Sequence, residues 1–161
     1  MPLDIPAIQR ALQAEKLDAW LLYDFHGSNP IAVRVAGLDT AAHMTTRRWY
    51  YCIPAAGAPR ALVHAIERHN LDHLPGEVLV YAGREQLDAA LTRLLQGVRR
   101  VAMEYSPGCA IPYLSRLDAG TAETLRARGV EVLSSGNLVQ RFEASWTTCL
   151  LYTSPSPRDV E

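Results

Sequence analysis

Histidines offer the first candidate chemistry. His64, His69 and His73 fall within ten residues, and imidazoles at such spacing can share a helix face and hold a divalent metal. The segment lacks a His-Glu-x-x-His pattern and straddles the end of a β-prone run and a loop, so these histidines read as surface or loop residues. A second candidate is Asp24-Phe25-His26-Gly27-Ser28-Asn29-Pro30, where an acid, an imidazole and an amide directly follow an apolar run. α/β folds tend to place ligand contacts at strand ends of this kind. The same residues also suit an Asx-type turn that merely connects two elements. The third is Arg47-Arg48-Trp49-Tyr50, cations beside aromatics, suited to a carboxylate, a partner chain or an arginine over a ring in a solvated hairpin.

Other chemistries lack an anchor. No Gly-x-Gly-x-x-Gly or Walker loop is present to bring bare backbone N–H groups to a phosphate, and no Gly-x-Ser-x-Gly elbow raises a nucleophilic serine. Cys52, Cys109 and Cys149 are odd in number and widely spaced, which argues for free thiols over a disulfide framework. With 16 basic against 17 acidic residues and no long basic block, the chain has no electrostatic footprint for nucleic acid. The N-terminus shows no secretory signal, and no apolar run approaches the roughly 20 residues that cross a bilayer. A cytoplasmic protein with no membrane association is therefore expected.

The elements that position these groups follow from periodicity. Asp4 caps a helix that carries Ile5, Ile8, Ala11 and Leu12 on one face and runs to about Lys16. Ala19 to Tyr23 reads as a buried strand, Ile31 to Gly37 as a short helix, and Arg47 to Ile53 with Arg60 to His64 as a hairpin across a Pro- and Gly-containing breaker. Strands at Glu77 to Tyr81, Arg100 to Glu104 and Val130 to Leu133 alternate with helices at Glu85 to Gln96 and Ala119 to Arg128, with Gly129 as a stop. Asn137 to Ala144 supplies a last helix. The fold class is thus α/β: a single domain with a mixed, mostly parallel sheet covered by helices on both faces.

The composition changes abruptly at the C-terminus. Cys149 to Asp159 is what one frame of a widely used transposase sequencing adapter encodes. Residues 1–148 are therefore expected to form the domain and residues 149–161 a disordered tail of adapter read-through, with the natural sequence interrupted near Thr148.

Several phrases, in order, resemble one family. They are Trp20 to Pro30, Thr46 to Pro54, Val101 to Pro107, Val130 to Ser135 and Leu138 to Trp146. Together they resemble the N-terminal, creatinase-type domain of the Xaa-Pro aminopeptidase, prolidase and creatinase metallopeptidases, across about residues 3–147. The resemblance implies a non-catalytic domain that helps build a homodimer and caps the active site. It further implies a separate pita-bread catalytic domain in which two Asp, one His and two Glu hold two divalent ions (Mn, Co or Zn) and cleave the bond before proline in peptides. None of those ligand motifs occurs here, so no catalytic or metal residue is assigned to this chain, and the chain alone is not expected to be active. His26, Asn29, Arg47, Arg48 and Trp49 are the candidates for active-site-edge or dimer contacts. A creatinase-like hydrolase and a stand-alone α/β interaction module are the alternatives. Leu138, Val139, Phe142 and Trp146 form a helical apolar stripe where the chain would enter the catalytic domain, and the stripe is expected to be left partly uncovered without it.

Overall fold

The structure, a computed structural model, describes residues 3–143. The adapter-like tail and Trp146 lie outside the described residues. Six strands, β1 (Ala19–Asp24), β2 (Trp49–Pro54), β3 (Arg60–His64), β4 (Glu77–Tyr81), β5 (Arg100–Met103) and β6 (Glu131–Ser134), form one sheet in the order β4-β3-β2-β1-β5-β6. β3 with β4, β1 with β5 and β5 with β6 are parallel, whereas β2 runs antiparallel to both β1 and β3. The mixed, mostly parallel sheet read from the sequence is present. Every strand except β2 consequently ends at the same edge of the sheet.

Five helices, α1 (Ile5–Ala14), α2 (Pro30–Val35), α3 (Arg84–Leu94), α4 (Ala119–Ala127) and α5 (Gly136–Phe142), divide between the two faces. Side chains alternate along a strand, so Trp20 and Leu22 of β1 point one way and Leu21 and Tyr23 the other. The first set joins Ile8 and Leu12 of α1, Ile31 of α2 and Leu138 and Val139 of α5 in one core. The second joins Leu87, Leu91 and Leu94 of α3 and Leu125 of α4 in another. All six residues of β1 are buried because both of its faces and both of its edges are covered. Its continuous apolar run, without polar alternation, is the signature of that position.

Several boundaries and one surface differ from expectation. α1 stops at Ala14 because Lys16 takes a left-handed φ of 57° and Leu17 N–H returns to Leu12 C=O at 2.9 Å, while Lys16 N–H reaches Gln13 C=O at 3.2 Å. This is a Schellman closure with lysine where glycine is usual, which hid it from the sequence. β1 extends to Asp24, and β2 begins at Trp49 instead of Arg47. Leu138 and Val139, members of the stripe expected to be partly uncovered, are 1% and 5% exposed within the first core, and the Phe142 ring lies 6.4 Å from that of Trp20. The described part of that stripe is therefore a component of this domain's own core.

Candidate functional site

The edge where the strands end carries the chemistry-bearing residues, starting with the last two of β1. Asp24 lies on the face of the first core. Its Oδ1 accepts the Asn29 N–H at 2.7 Å and its Oδ2 the Gly27 N–H at 3.0 Å. His26 and Gly27 both take left-handed φ values, 55° and 77°. A carboxylate that receives backbone N–H groups from across the loop holds this tight turn together. Asn29 then caps α2, its Oδ1 accepting Ala32 N–H at 3.2 Å.

The Asn29 amide faces the other way as well. Its Nδ2 donates to Tyr23 C=O and to Glu104 Oε1, each at 2.9 Å. Glu104, immediately after β5, also accepts Trp20 Nε1–H at 3.0 Å and Ser135 Oγ–H at 2.8 Å on Oε2. Glu104 is 1% exposed, and that burial pushes its carboxyl pKa upward, opposed by the three donors. The network ties β1, α2, β5 and the start of α5 into one unit. All of its polar atoms are engaged, so it organises the edge and offers no open position to a ligand.

The loop beyond β1 borders a small cavity of about 460 Å³ lined by His26, Gly27, Pro30, His43 and Thr46 among others. Thr46 also ends this loop region by its bonds to Glu67. The Thr46 N–H and Oγ1–H and the Arg47 N–H all donate to the Glu67 carboxylate, at 2.7, 2.6 and 3.1 Å. Partial burial pushes the Glu67 pKa up, but these bonds and the Arg47 charge outweigh it and hold the carboxyl below its ordinary value. The clamp fixes the direction in which Arg47 and Arg48 leave the backbone.

On the opposite face, the same edge opens into a larger cavity of about 850 Å³. Its inner wall is Tyr23, Tyr50, Tyr81, Leu87 and Leu91, all at most 5% exposed, and Arg47, Arg48, Arg84 and His64 also line it. The Tyr23 and Tyr50 rings lie 4.9 Å apart, and Tyr81 Oη–H donates to Arg48 C=O at 2.8 Å. Gly83 and Asp118, the caps that open α3 and α4, stand beside it.

The five residues singled out from the sequence thus go to four places. His26 lines the small cavity, Asn29 is inside the Glu104 network, and Arg47 and Arg48 line the large cavity. Trp49 is 3% exposed in the first core, and its Nε1–H has no partner among the described residues. The histidine triplet also disperses. His64 accepts Ile66 N–H and stacks edge-on with Tyr81 at 5.1 Å, His69 pairs with Asp72 at 2.7 Å, and His73 meets Ala36 C=O at 2.7 Å. Among the described residues no three of His, Cys, Asp and Glu gather as metal ligands, so the two ions implied by the resemblance find no cage here and no step is routed through them. Nor is any described helix long and apolar enough to cross a membrane. Sequence reasoning did not single out Glu104 or Ser135; the available signal was an acid placed directly after a buried strand.

A single α/β domain with this strand order and helices on both faces defines the fold class. No protein-family model and no curated relative matches the sequence. Solved structures do match. A proline dipeptidase from Streptococcus pneumoniae superposes with a TM-score of 0.62 and 19% identity, over 90% of this chain and 99% of that one. The N-terminal domain of the Xaa-Pro dipeptidase from Lactobacillus brevis gives 0.60 and 14%, over 85% and 98%. The prolidase from Pyrococcus horikoshii gives 0.61 and 15%, over 92% of this chain but 37% of its own length. The chain has the fold of the creatinase/prolidase N-terminal domain, and it spans about a third of the longer enzymes that contain that fold.

Proposed function

We propose that this chain is the non-catalytic N-terminal domain of an Xaa-Pro peptidase, acting beside a pita-bread catalytic domain that holds two divalent metals and hydrolyses peptides before proline. The observation that carries this reading is the fold likeness to dipeptidase N-terminal domains over some nine-tenths of the chain. The closed Asp24–Asn29–Glu104 network adds support, because it serves to position the sheet edge and leaves its acids engaged. In this role His26 and the Arg47–Arg48 segment stand at the rim of the assembled active site or at the contact between two subunits of a cytoplasmic homodimer. Residues 1–148 are the domain in this proposal.

The test is the intact locus downstream of the Thr148 codon. An open frame encoding two Asp, one His and two Glu in the order of the peptidase ligands supports the proposal, and a prompt stop codon overturns it in favour of a stand-alone module. In the longer product, Arg47→Ala is expected to raise KM for an Xaa-Pro peptide or to shift the dimer equilibrium. Unchanged kinetics and unchanged sedimentation would remove Arg47 from either contact.

A further inference from the structure

We propose that the cavity between the starts of α3 and α4 binds a small amphipathic acid, its apolar body packed on Tyr23, Tyr50 and Leu87 and its carboxylate or phosphate held by the guanidiniums of Arg48 and Arg84. Its volume, about 850 Å³, lies within the range of small-molecule sites, and its lining is of the same kind: apolar and aromatic walls with a few convergent polar groups.

Three observations converge on an anion. Arg48 and Arg84 both line the cavity, and neither guanidinium forms an ion pair among the described residues, unlike Arg34, Arg93, Arg100 and Arg128. The two acids that share the lining are engaged: Asp88 pairs with Arg128 at 3.1 Å, and Asp118 accepts Thr121 N–H and Oγ1–H at 2.8 and 2.7 Å. Independently, Tyr50 is 2% exposed and lines the cavity, yet its hydroxyl has no hydrogen-bond partner among the described residues. The Tyr50 hydroxyl is not among the sealed unpaired atoms of the described residues, so it opens onto the cavity, at a position that a ligand atom can fill.

The local electrostatics agree with this geometry. Burial pushes the Tyr23, Tyr50 and Tyr81 hydroxyls above their ordinary pKa, and the Arg48 cation acts in the opposite direction on all three. The Tyr81 hydroxyl is already committed to Arg48 C=O and Tyr23 engages Thr121, so the neutral Tyr50 phenol is the one free to donate a hydrogen bond to an oxyanion beside Arg48. α3 adds to this, since its cap Gly83 has no side chain to satisfy the first N–H groups of the helix.

The proposal concerns this chain alone and does not depend on the peptidase reading. Its test uses the full chain, isotopically labelled, titrated with phenylacetate, phenyl phosphate and the neutral analogue phenylacetamide while amide shifts are followed. Saturable shifts at Ala82, Gly83, Arg84, Gly120 and Thr121 are expected, with at least one acid binding about tenfold or more tightly than the amide. The tighter of the two acids identifies the head group. Arg48→Ala and Arg84→Ala should each weaken that acid several-fold, and Tyr50→Phe should weaken it without moving the unfolding midpoint. Arg84 is exposed at a helix start, so its variant remains informative if Arg48→Ala disturbs the fold. Equal binding of acid and amide, shifts confined to other surfaces, undiminished binding by both arginine variants, or no saturation by either acid up to about 20 mM would overturn the assignment.

Discussion

Tyr23 and Asp24 are neighbours at the end of one strand, yet they lead into opposite kinds of environment. Asp24 begins a closed polar network in which Asn29, Glu104, Trp20 and Ser135 satisfy one another out of water. Tyr23 begins an open wall where, among the described residues, the Tyr50 hydroxyl has no hydrogen-bond partner and the Arg48 and Arg84 guanidiniums form no ion pair. The pleat of β1 separates the two by sending alternate side chains to alternate faces. One face therefore fixes the edge of the sheet, and the fixed edge gives the other face a shape it can keep without a ligand.

The comparison is most severely tested by Asn29→Ala. The variant loses the α2 cap, leaves Glu104 Oε1 without its donor and removes the side-chain donor to Tyr23 C=O, so we expect destabilisation of about 2–4 kcal/mol in urea unfolding. A loss below about 1 kcal/mol would mean that the network does not hold the edge together. Ser135→Ala, which removes a single donor from Glu104, should cost about 1 kcal/mol by the same measurement.

The pH dependence of stability distinguishes the two regions further. Burial raises the Glu104 pKa above its ordinary 4.5, so between that value and its native pKa the folded protein binds more protons than the unfolded chain. Stability associated with this group is therefore fully present below about 4.5 and declines as pH rises toward the native value. Glu104→Gln removes that slope. Its midpoint relative to the natural protein should improve steadily with rising pH, and a difference independent of pH would show that Glu104 does not titrate in the native state as described. On the other side of the sheet, Tyr50→Phe should change stability by no more than about 0.5 kcal/mol, since it breaks no hydrogen bond. A cost above about 1 kcal/mol would reveal that the phenol has a structural partner and that the two regions are more alike than the geometry indicates.

Much of the scaffold was legible because its signals are local. β-branched and aromatic runs bounded by breakers located the strands, and the leucine spacing of Leu87, Leu91 and Leu94 located α3. The Asx turn at Asp24 was open to reading from its residue types. What escaped was non-local: Glu104 meets Asn29 and Trp20 only because β5 lies against β1, and no periodicity within either segment encodes that adjacency. Arg48 and Trp49 were read as one contact group, but consecutive residues at a strand start go to opposite faces, so one lines a cavity and the other is packed in the core. The Lys16 closure was invisible for a different reason, since its left-handed backbone stands where glycine usually marks the stop.

The strand order also bears on synthesis. β1 acquires its antiparallel neighbour β2 and, beyond it, β3 by His64, but its other edge is covered only by β5, which begins at Arg100. A chain leaving the ribosome at about 5–20 residues per second would hold the β1–β2–β3 meander for some seconds with one apolar edge unpaired. In that interval Trp20 also lacks its acceptor, because Glu104 has not yet emerged. Such a nascent intermediate is the stage at which chaperone capture or strand-to-strand association between neighbouring chains is expected.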